Sequence, residues 1–285
     1  MADTLKPIRI ESWNELATSF LTLSPVDLAC RGQALYYDRM LPRVDRCLNV
    51  PSLSGRLRLE RAICQRFREH APIYLSDVER LYLQTRWLQL IVMQHYGAPT
   101  RLLDWTKSPW VAAFFAVSGG WEQDGYVYIF RRDRLEHDVP LLDEEANMAD
   151  LVWGPHHTDR TFSDTKWDHA KANDKLLDER IVEGFSEWVT TYYCREAHFP
   201  RLIAQQGLFT FASKPNVDHW KAISRLGKEY CWIFEIAGSA KPGILRGLNV
   251  IGLNGATLFP GADGIGRSME GFARAWHLIP RPSQF

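Results

Sequence analysis

The sequence has no excess of charge of either sign: 34 lysines and arginines balance 34 aspartates and glutamates over 285 residues. That weakens any reading in which bulk positive charge drives binding to nucleic acid or a membrane. A local basic patch is not excluded. Long apolar runs are also missing. The longest, Trp110 to Val117, falls far short of the roughly 20 residues that a membrane span needs. The first residues, MADTLKPIRIESW, contain no apolar core of signal-peptide length. Cysteine is sparse and unpatterned. Cys30, Cys47, Cys64, Cys194 and Cys231 are odd in number, widely spaced and without a CxxC, which suits reduced thiols in a cytoplasmic protein better than a disulfide framework or a zinc site. His156, His157 and His169 lie close in sequence, but no cysteine or helical HxxxH partner completes a set, and no metal is expected. Neither GxGxxG nor GxxxxGKS occurs, so dinucleotide-fold and P-loop readings have no support. Internal repeats and linkers are absent as well.

What is present is ordinary globular composition, 46% apolar and 24% charged, with an unusual aromatic load of 11 Trp, 10 Tyr and 14 Phe. Such residues build a large core or an aromatic ligand wall, and composition does not separate the two. Length alone is compatible with one large domain or roughly two.

Residues 8–22 read as a short strand followed by a helix, with Ser12 as N-cap and Glu15 three residues on. Ala29 to Gln33 reads as a strand that ends at Gly32 or passes through it. Leu59, Ile63 and Phe67 share one face of a helix over 57–70. A second helix over 77–96 places Leu81, Leu88, Ile91 and Val92 inward and stops at Gly97 before Pro99. Ser108-Pro109 opens a helix with almost no polar face, ending at Gly119-Gly120. Gly125 to Phe130 reads as a central strand, and Phe209–Phe211 and Tyr230–Ile236 as further strands. Residues 131–174 are polar without a clear period, and Lys175 to about Glu196 has a helical pattern. Helices and strands without regular alternation predict an α+β fold with a mixed, mainly antiparallel sheet core and several packed helices.

Three segments look like sites. Gln94 to Thr106 crowds His95, Tyr96, Thr100, Arg101, Asp104, Trp105 and Thr106 between a helix stop and a buried helix start, where binding groups tend to sit. Arg101 either forks onto an anion or pairs with Asp104 to hold the loop, and Trp105 either walls a pocket or plugs the core. His95 either handles protons near neutral pH or closes the helix end. In Cys30-Arg31-Gly32-Gln33, an arginine on a mostly apolar strand needs a partner, either a ligand anion or an internal acid such as Asp104. In Arg201 to Phe209, Gln205 and Gln206 either read a polar ligand or cap a strand end.

These residues carry a family resemblance. Arg31-Gly32-Gln33 resembles the aromatic-Arg-Gly motif for which the FRG domain family is named, with Cys30 in place of the aromatic residue. Gln94 to Ala116 resembles the family's Gln-His-Tyr-Gly run leading into Thr-Arg-Leu-Leu-Asp-Trp-Thr and a helix. Arg201 to Phe209, Lys241-Pro-Gly-Ile-Leu, and Leu258-Phe-Pro with Asp263-Gly264 resemble its later motifs, so the resemblance extends over about residues 25–275. It implies one FRG-type domain over 25–276 with a polar insertion near 131–174, an extension over 1–24 and a tail over 277–285. It further implies a fold similar to ADP-ribosyltransferases and NAD as a substrate, consumed by ADP-ribosyl transfer or by glycohydrolysis. In that reading Arg31 holds a phosphate or the nicotinamide side, and Tyr96, Thr100 and Trp105 wall the pocket. Arg101 binds pyrophosphate, and Gln33, Thr106, Arg201, Gln205 and Gln206 complete the binding set. The cation-like transition state of glycosidic cleavage calls for an acid. Arg201–Phe209 contains no glutamate, so Asp104 is the first candidate and Glu235 the second, with Arg31 and His95 completing the catalytic set. The expected partners are a nucleotide-like small molecule and a macromolecular acceptor, with no membrane. The alternative is a non-enzymatic module that binds a nucleotide, nucleic acid or protein through the same pocket.

Overall fold

Seven strands form one sheet in the computed structural model, which describes residues 5–23, 27–47, 53–84, 86–135, 189–192, 199–212 and 214–275. The strands are β1 (Ile8–Ile10), β2 (Leu28–Gln33), β3 (Leu103–Thr106), β4 (Gly125–Arg131), β5 (Val189–Tyr192), β6 (Gly207–Ala212) and β7 (Cys231–Ile236). Their order is β1-β7-β4-β2-β3-β6-β5. Only β1 and β7 run parallel, so the sheet is mixed and mainly antiparallel and the fold is α+β. The helices are α1 (Trp13–Leu21), α2 (Arg43–Cys47), α3 (Leu53–His70), α4 (Asp77–Tyr82), α5 (Arg86–His95), α6 (Pro109–Val117), α7 (Arg132–Leu135), α8 (Pro200–Ala204), α9 (His219–Ile223), α10 (Lys241–Val250), α11 (Gly255–Leu258) and α12 (Ala262–Ala275). No described helix is long and apolar enough to cross a membrane.

The sheet divides into two ladders. On one side β2 pairs with β4 over six consecutive residues, Leu28 opposite Arg131 through Gln33 opposite Tyr126, and β4 pairs with β7. On the other side β3 pairs with β6, and β6 with β5. The ladders meet at a single register, Cys30 opposite Thr106. Beyond it β2 and β3 part.

Helix α6 covers this junction. Ser108 caps it by accepting from the Val111 N–H, and Pro109 occupies its first turn. Ala112, Ala113 and Ala116 are fully buried. Two strand glycines allow the close approach: a Cβ on Gly32 would lie 1.8 Å from the Ala112 carbonyl oxygen, and one on Gly125 would lie 2.3 Å from that of Ala116. The end of the helix is fastened by Lys241 at the start of α10. Its fully buried ammonium donates to the carbonyls of Ala34 (2.8 Å), Gly119 (2.9 Å) and Gly120 (2.8 Å). Three acceptors satisfy the three ammonium protons. The aromatic load is mostly core on this side, with Phe20 packed edge-on against Trp110 and Phe234. The N-terminal segment belongs to the same sheet through β1, and α1 packs in the same cluster.

Two expectations change. The helix read over 77–96 is two helices, α4 and α5. A capping box at Ser76 and Glu79 starts the first, and its turn ends at Leu83, so the inward stripe does not run through; Leu81 is 55% exposed. The helical pattern over Lys175–Glu196 falls largely outside the described residues, but 189–192 form β5, where Val189 and Thr191 are buried against β6. Cross-strand pairing prevails over the local pattern there. The polar stretch beyond residue 135 and the tail beyond 275 lie outside the described residues.

The face opposite α6 holds a buried polar chain. The Trp105 indole N–H donates to Thr210 Oγ1 (2.8 Å), and that hydroxyl lies 2.7 Å from His219 Nδ1. Burial, aided by Arg31, lowers the His219 pKa from 6.5 to about 3.

Two predictions follow from this packing. Lys241→Met leaves three carbonyls without a donor and is expected to lower unfolding stability by about 3 kcal/mol or more, measured by denaturant titration. His219 binds its proton more weakly in the folded chain, so the unfolded state carries more protons between pH 6.5 and 3 and stability falls as pH falls through that window. The part above the carboxylate range, from pH 6.5 to 5, is expected to amount to roughly 2 kcal/mol and to vanish in His219→Asn, measured as unfolding free energy against pH.

Candidate functional site

Where β2 and β3 part, a cavity of about 260 Å³ opens between the strands, the end of α5 and the short helix α8. Cys30, Arg31 and Gly32 come from β2, and Asp104, Trp105 and Thr106 from β3. Arg31 bridges the split, with Nη1 donating to the main-chain carbonyl of Asp104. It is not paired with the Asp104 carboxylate. Its Nε is buried and finds no partner among the described residues. Burial lowers the Arg31 pKa; Asp104 opposes this and Arg46 reinforces it.

The Asp104 carboxylate is held by a short relay from α5. Thr100 Oγ1 donates to Gln94 Oε1, and Gln94 Nε2 donates to Asp104 Oδ2 (2.8 Å). Thr100 is fully buried and lies outside the cavity, so it acts only through Gln94. His95 at the helix end stacks on Phe199, with centroids 4.6 Å apart at 21°. Burial lowers its pKa, and the Arg201 charge lowers it further against the opposing charges of Glu79 and Asp263, so the neutral ring is favoured. This side wall is apolar: Ile91, Phe115, Phe199 and Phe209 contribute to it.

Arg201, on α8, faces this wall. Its guanidinium lies over the Phe259 ring at 4.7 Å, and Arg267 lies over the same ring at 4.4 Å. Burial first, then Arg267, lowers its pKa. Among the described residues Arg201 donates no hydrogen bond and forms no ion pair of contact distance. Thr106 and Gln205 also reach the cavity, but their polar groups are engaged. Thr106 Oγ1 donates to the Gln205 carbonyl (2.7 Å), and Gln205 Nε2 donates to the Leu258 carbonyl (3.0 Å).

The expected site residues therefore separate. Arg31, His95, Asp104, Trp105, Thr106, Arg201 and Gln205 share this cavity, although the Trp105 indole is only 3% exposed and packs edge-on against Phe130. Gln33, Tyr96, Thr100, Arg101 and Gln206 do not line it. The Tyr96 side chain turns outward and donates to Glu79 (2.8 Å). Gln206 is exposed at positive φ, and its carbonyl receives the Lys107 N–H. Arg101 is sealed in a buried fork: Nε lies 2.7 and 3.0 Å from the two Glu60 oxygens, and Nη2 bonds the same carboxylate. The partner is Glu60 on α3, not Asp104, because α3 packs against the turn that follows α5. Glu235 receives the Tyr126 hydroxyl on β7, away from the cavity. Gln94, Phe115 and Phe199 were not singled out by the sequence. Gln94 sits in the recognised motif, but the two phenylalanines look like core from their neighbours alone. Among the described residues no group of three His, Cys, Asp or Glu could hold a metal ion.

The Arg101–Glu60 fork leads to a stability prediction. Arg101→Met leaves a buried carboxylate unpaired and is expected to cost about 3–5 kcal/mol in denaturant unfolding. Ligand affinity of the cavity per folded molecule is expected to stay unchanged.

No curated protein and no solved structure matches the chain. Comparison with protein families matches residues 27–125, the stretch that runs from the start of β2 to the first residue of β4 and supplies Arg31, Gln94, His95, Asp104 and Thr106 to the cavity. Those residues match the family model of the FRG domain.

Proposed function

We propose that the cavity between β2 and β3 binds a nucleotide-like anion. The observation that carries this reading is Arg201: a half-buried guanidinium in a cavity, with its donors unused by the described residues and an aromatic wall opposite. An arginine in that state is favourable to a carboxylate or phosphate, and Phe199 and His95 offer a face to a planar ring. The volume sets the size. Pockets for drug-sized ligands span roughly 300–1,000 Å³, so about 260 Å³ suits a mononucleotide or one half of a dinucleotide. Nucleic acid in duplex form is a poorer fit to a cavity of this size in a chain of zero net charge.

A second reading, NAD consumption, is favoured by one feature, the Asp104 carboxylate held at the cavity by Gln94. The bond between nicotinamide and ribose breaks with its electron pair leaving on nicotinamide. The ribosyl group becomes cation-like, and an adjacent carboxylate stabilises it. Water or an acceptor hydroxyl adds at the same carbon and gives its proton to neutral His95. Transfer and glycohydrolysis differ only in that nucleophile.

The test is thermal unfolding of the full chain with AMP or NAD, together with nicotinamide release from labelled NAD. Ligand is expected to raise the melting temperature, and Arg201→Ala to remove most of the rise. Absence of any shift with either nucleotide would refute the binding reading. For the second reading, Asp104→Asn is expected to retain binding and to reduce nicotinamide release by about 10²-fold. A wild-type chain that binds NAD and releases no nicotinamide is a binding module.

A further inference from the structure

Arg31 borders a second cavity. This one, about 190 Å³, lies beside the end of β2 and the loop that follows it, and its lining includes Arg31, Gln33, Tyr37, Arg39 and Arg46. We propose that it is a phosphate-binding subsite, distinct from the cavity that holds Arg201. Three arginines line it and no carboxylate does. Arg39 is already oriented, with Nη1 and Nη2 donating to Asn216 Oδ1 (3.2 Å) and to its carbonyl (2.6 Å), which leaves three of its five donors. Arg31 is fixed on a central strand by its bond to the Asp104 carbonyl. Arg46 sits on α2 and is exposed, so it meets solvent and ligand alike.

Gln33 supplies an independent observation. The residue borders this cavity and is only 8% exposed, and its Oε1 is buried with no hydrogen-bond partner among the described residues. A buried carboxamide oxygen left unmatched is costly, so a turn of the Gln33 side chain that brings Oε1 to a protonated phosphate, or to a hydroxyl on a phosphate ester, is favourable. The like charges of Arg31 and Arg46 also oppose each other, and a dianion between arginines removes that repulsion. Free phosphate and a phosphomonoester share this chemistry. The openness of the cavity toward exposed Arg39 and Arg46 leaves room for an ester group.

Arg46 lines only the second cavity and Arg201 only the first, which separates this inference from the proposed nucleotide site. The experiment is calorimetric titration of the full chain with inorganic phosphate and, in a parallel arm, glycerol phosphate. In an Arg201→Ala background phosphate is expected still to bind, and adding Arg46→Gln is expected to weaken it about tenfold. The melting temperature without phosphate is expected to be the same in both variants, since Arg46 is exposed. Tighter binding of glycerol phosphate identifies an ester as the ligand, and tighter binding of phosphate identifies the free ion. The proposal is overturned if phosphate binding disappears with Arg201→Ala alone, or if Arg46→Gln leaves it unchanged. It is also overturned if neither anion binds at about 10 mM, a concentration at which a millimolar site is mostly filled.

Discussion

The one contact between the two strand ladders governs the rest of this structure. Strands that pair at a single register, Cys30 with Thr106, cannot satisfy their remaining facing backbone groups by continuing the ladder. Something else must fill the split. On β2 the filler is Arg31, whose guanidinium takes over the carbonyl of Asp104. A side chain with five donors, placed where a ladder bond would have been, closes the gap in hydrogen bonding without closing the gap in space. The cavity is the space that remains. Its two sides come from different ladders, so arginine from one and carboxylate from the other are brought together without being neighbours in sequence.

A split of this kind would weaken the sheet if nothing spanned it. Helix α6 does so, and the strand glycines explain how. Gly32 and Gly125 lie on adjacent strands and each admits the helix backbone to within a distance that no side chain permits. The helix carries alanines where it touches the sheet and larger residues toward its flanks. Phe115 is one of these, and it lines the cavity. Lys241 then binds the chain at both the end of β2 and the turn after α6, so the two elements cannot separate without stripping a buried ammonium of its acceptors. The rigidity around the split is therefore built from glycine, alanine and one lysine, and the aromatic residues fill the volume around that frame.

Much of this was legible in the sequence because it depends on local signals. The Ser108-Pro109 start and Gly119-Gly120 stop delimit α6, and Gly125 to Phe130 has the β-branched and aromatic content of a buried strand. The concentration of polar residues between a helix stop and a buried helix marked the region of Asp104. What sequence could not convey is which partner each charged group finds. Arg101 and Asp104 are three residues apart and suggest a pair, yet Glu60, 41 positions from Arg101, takes the guanidinium. Alternation along β3 sends neighbouring residues to opposite faces, so Trp105 enters the core while Asp104 is exposed at the cavity. Tyr96 does not line the cavity: one residue past His95, its ring stands edge-on against the imidazole and its hydroxyl meets Glu79. Phe199 replaces it, from a segment about a hundred residues away.

The balanced charge of the chain takes on a different sense in this light. The arginines of the motifs are not equivalent. Arg101 is neutralised within the fold by Glu60, and Arg31 is partly satisfied by a neutral carbonyl. Arg201 rests on an aromatic ring, which offers weak attraction compared with a carboxylate. A protein that only needed to stabilise these segments would match each buried guanidinium with an acid, as it does at Arg101. Leaving Arg201 over Phe259, next to a second arginine over the same ring, keeps positive potential in one place while the chain as a whole stays neutral. Asp104 and Asp263 both bring negative charge near that potential, and the Asp104 carboxylate at the cavity is tied to an amide, not to either arginine. The cavity thus keeps its cations and its carboxylate apart by a few fixed hydrogen bonds, a separation of charge that a ligand of mixed polarity is suited to bridge.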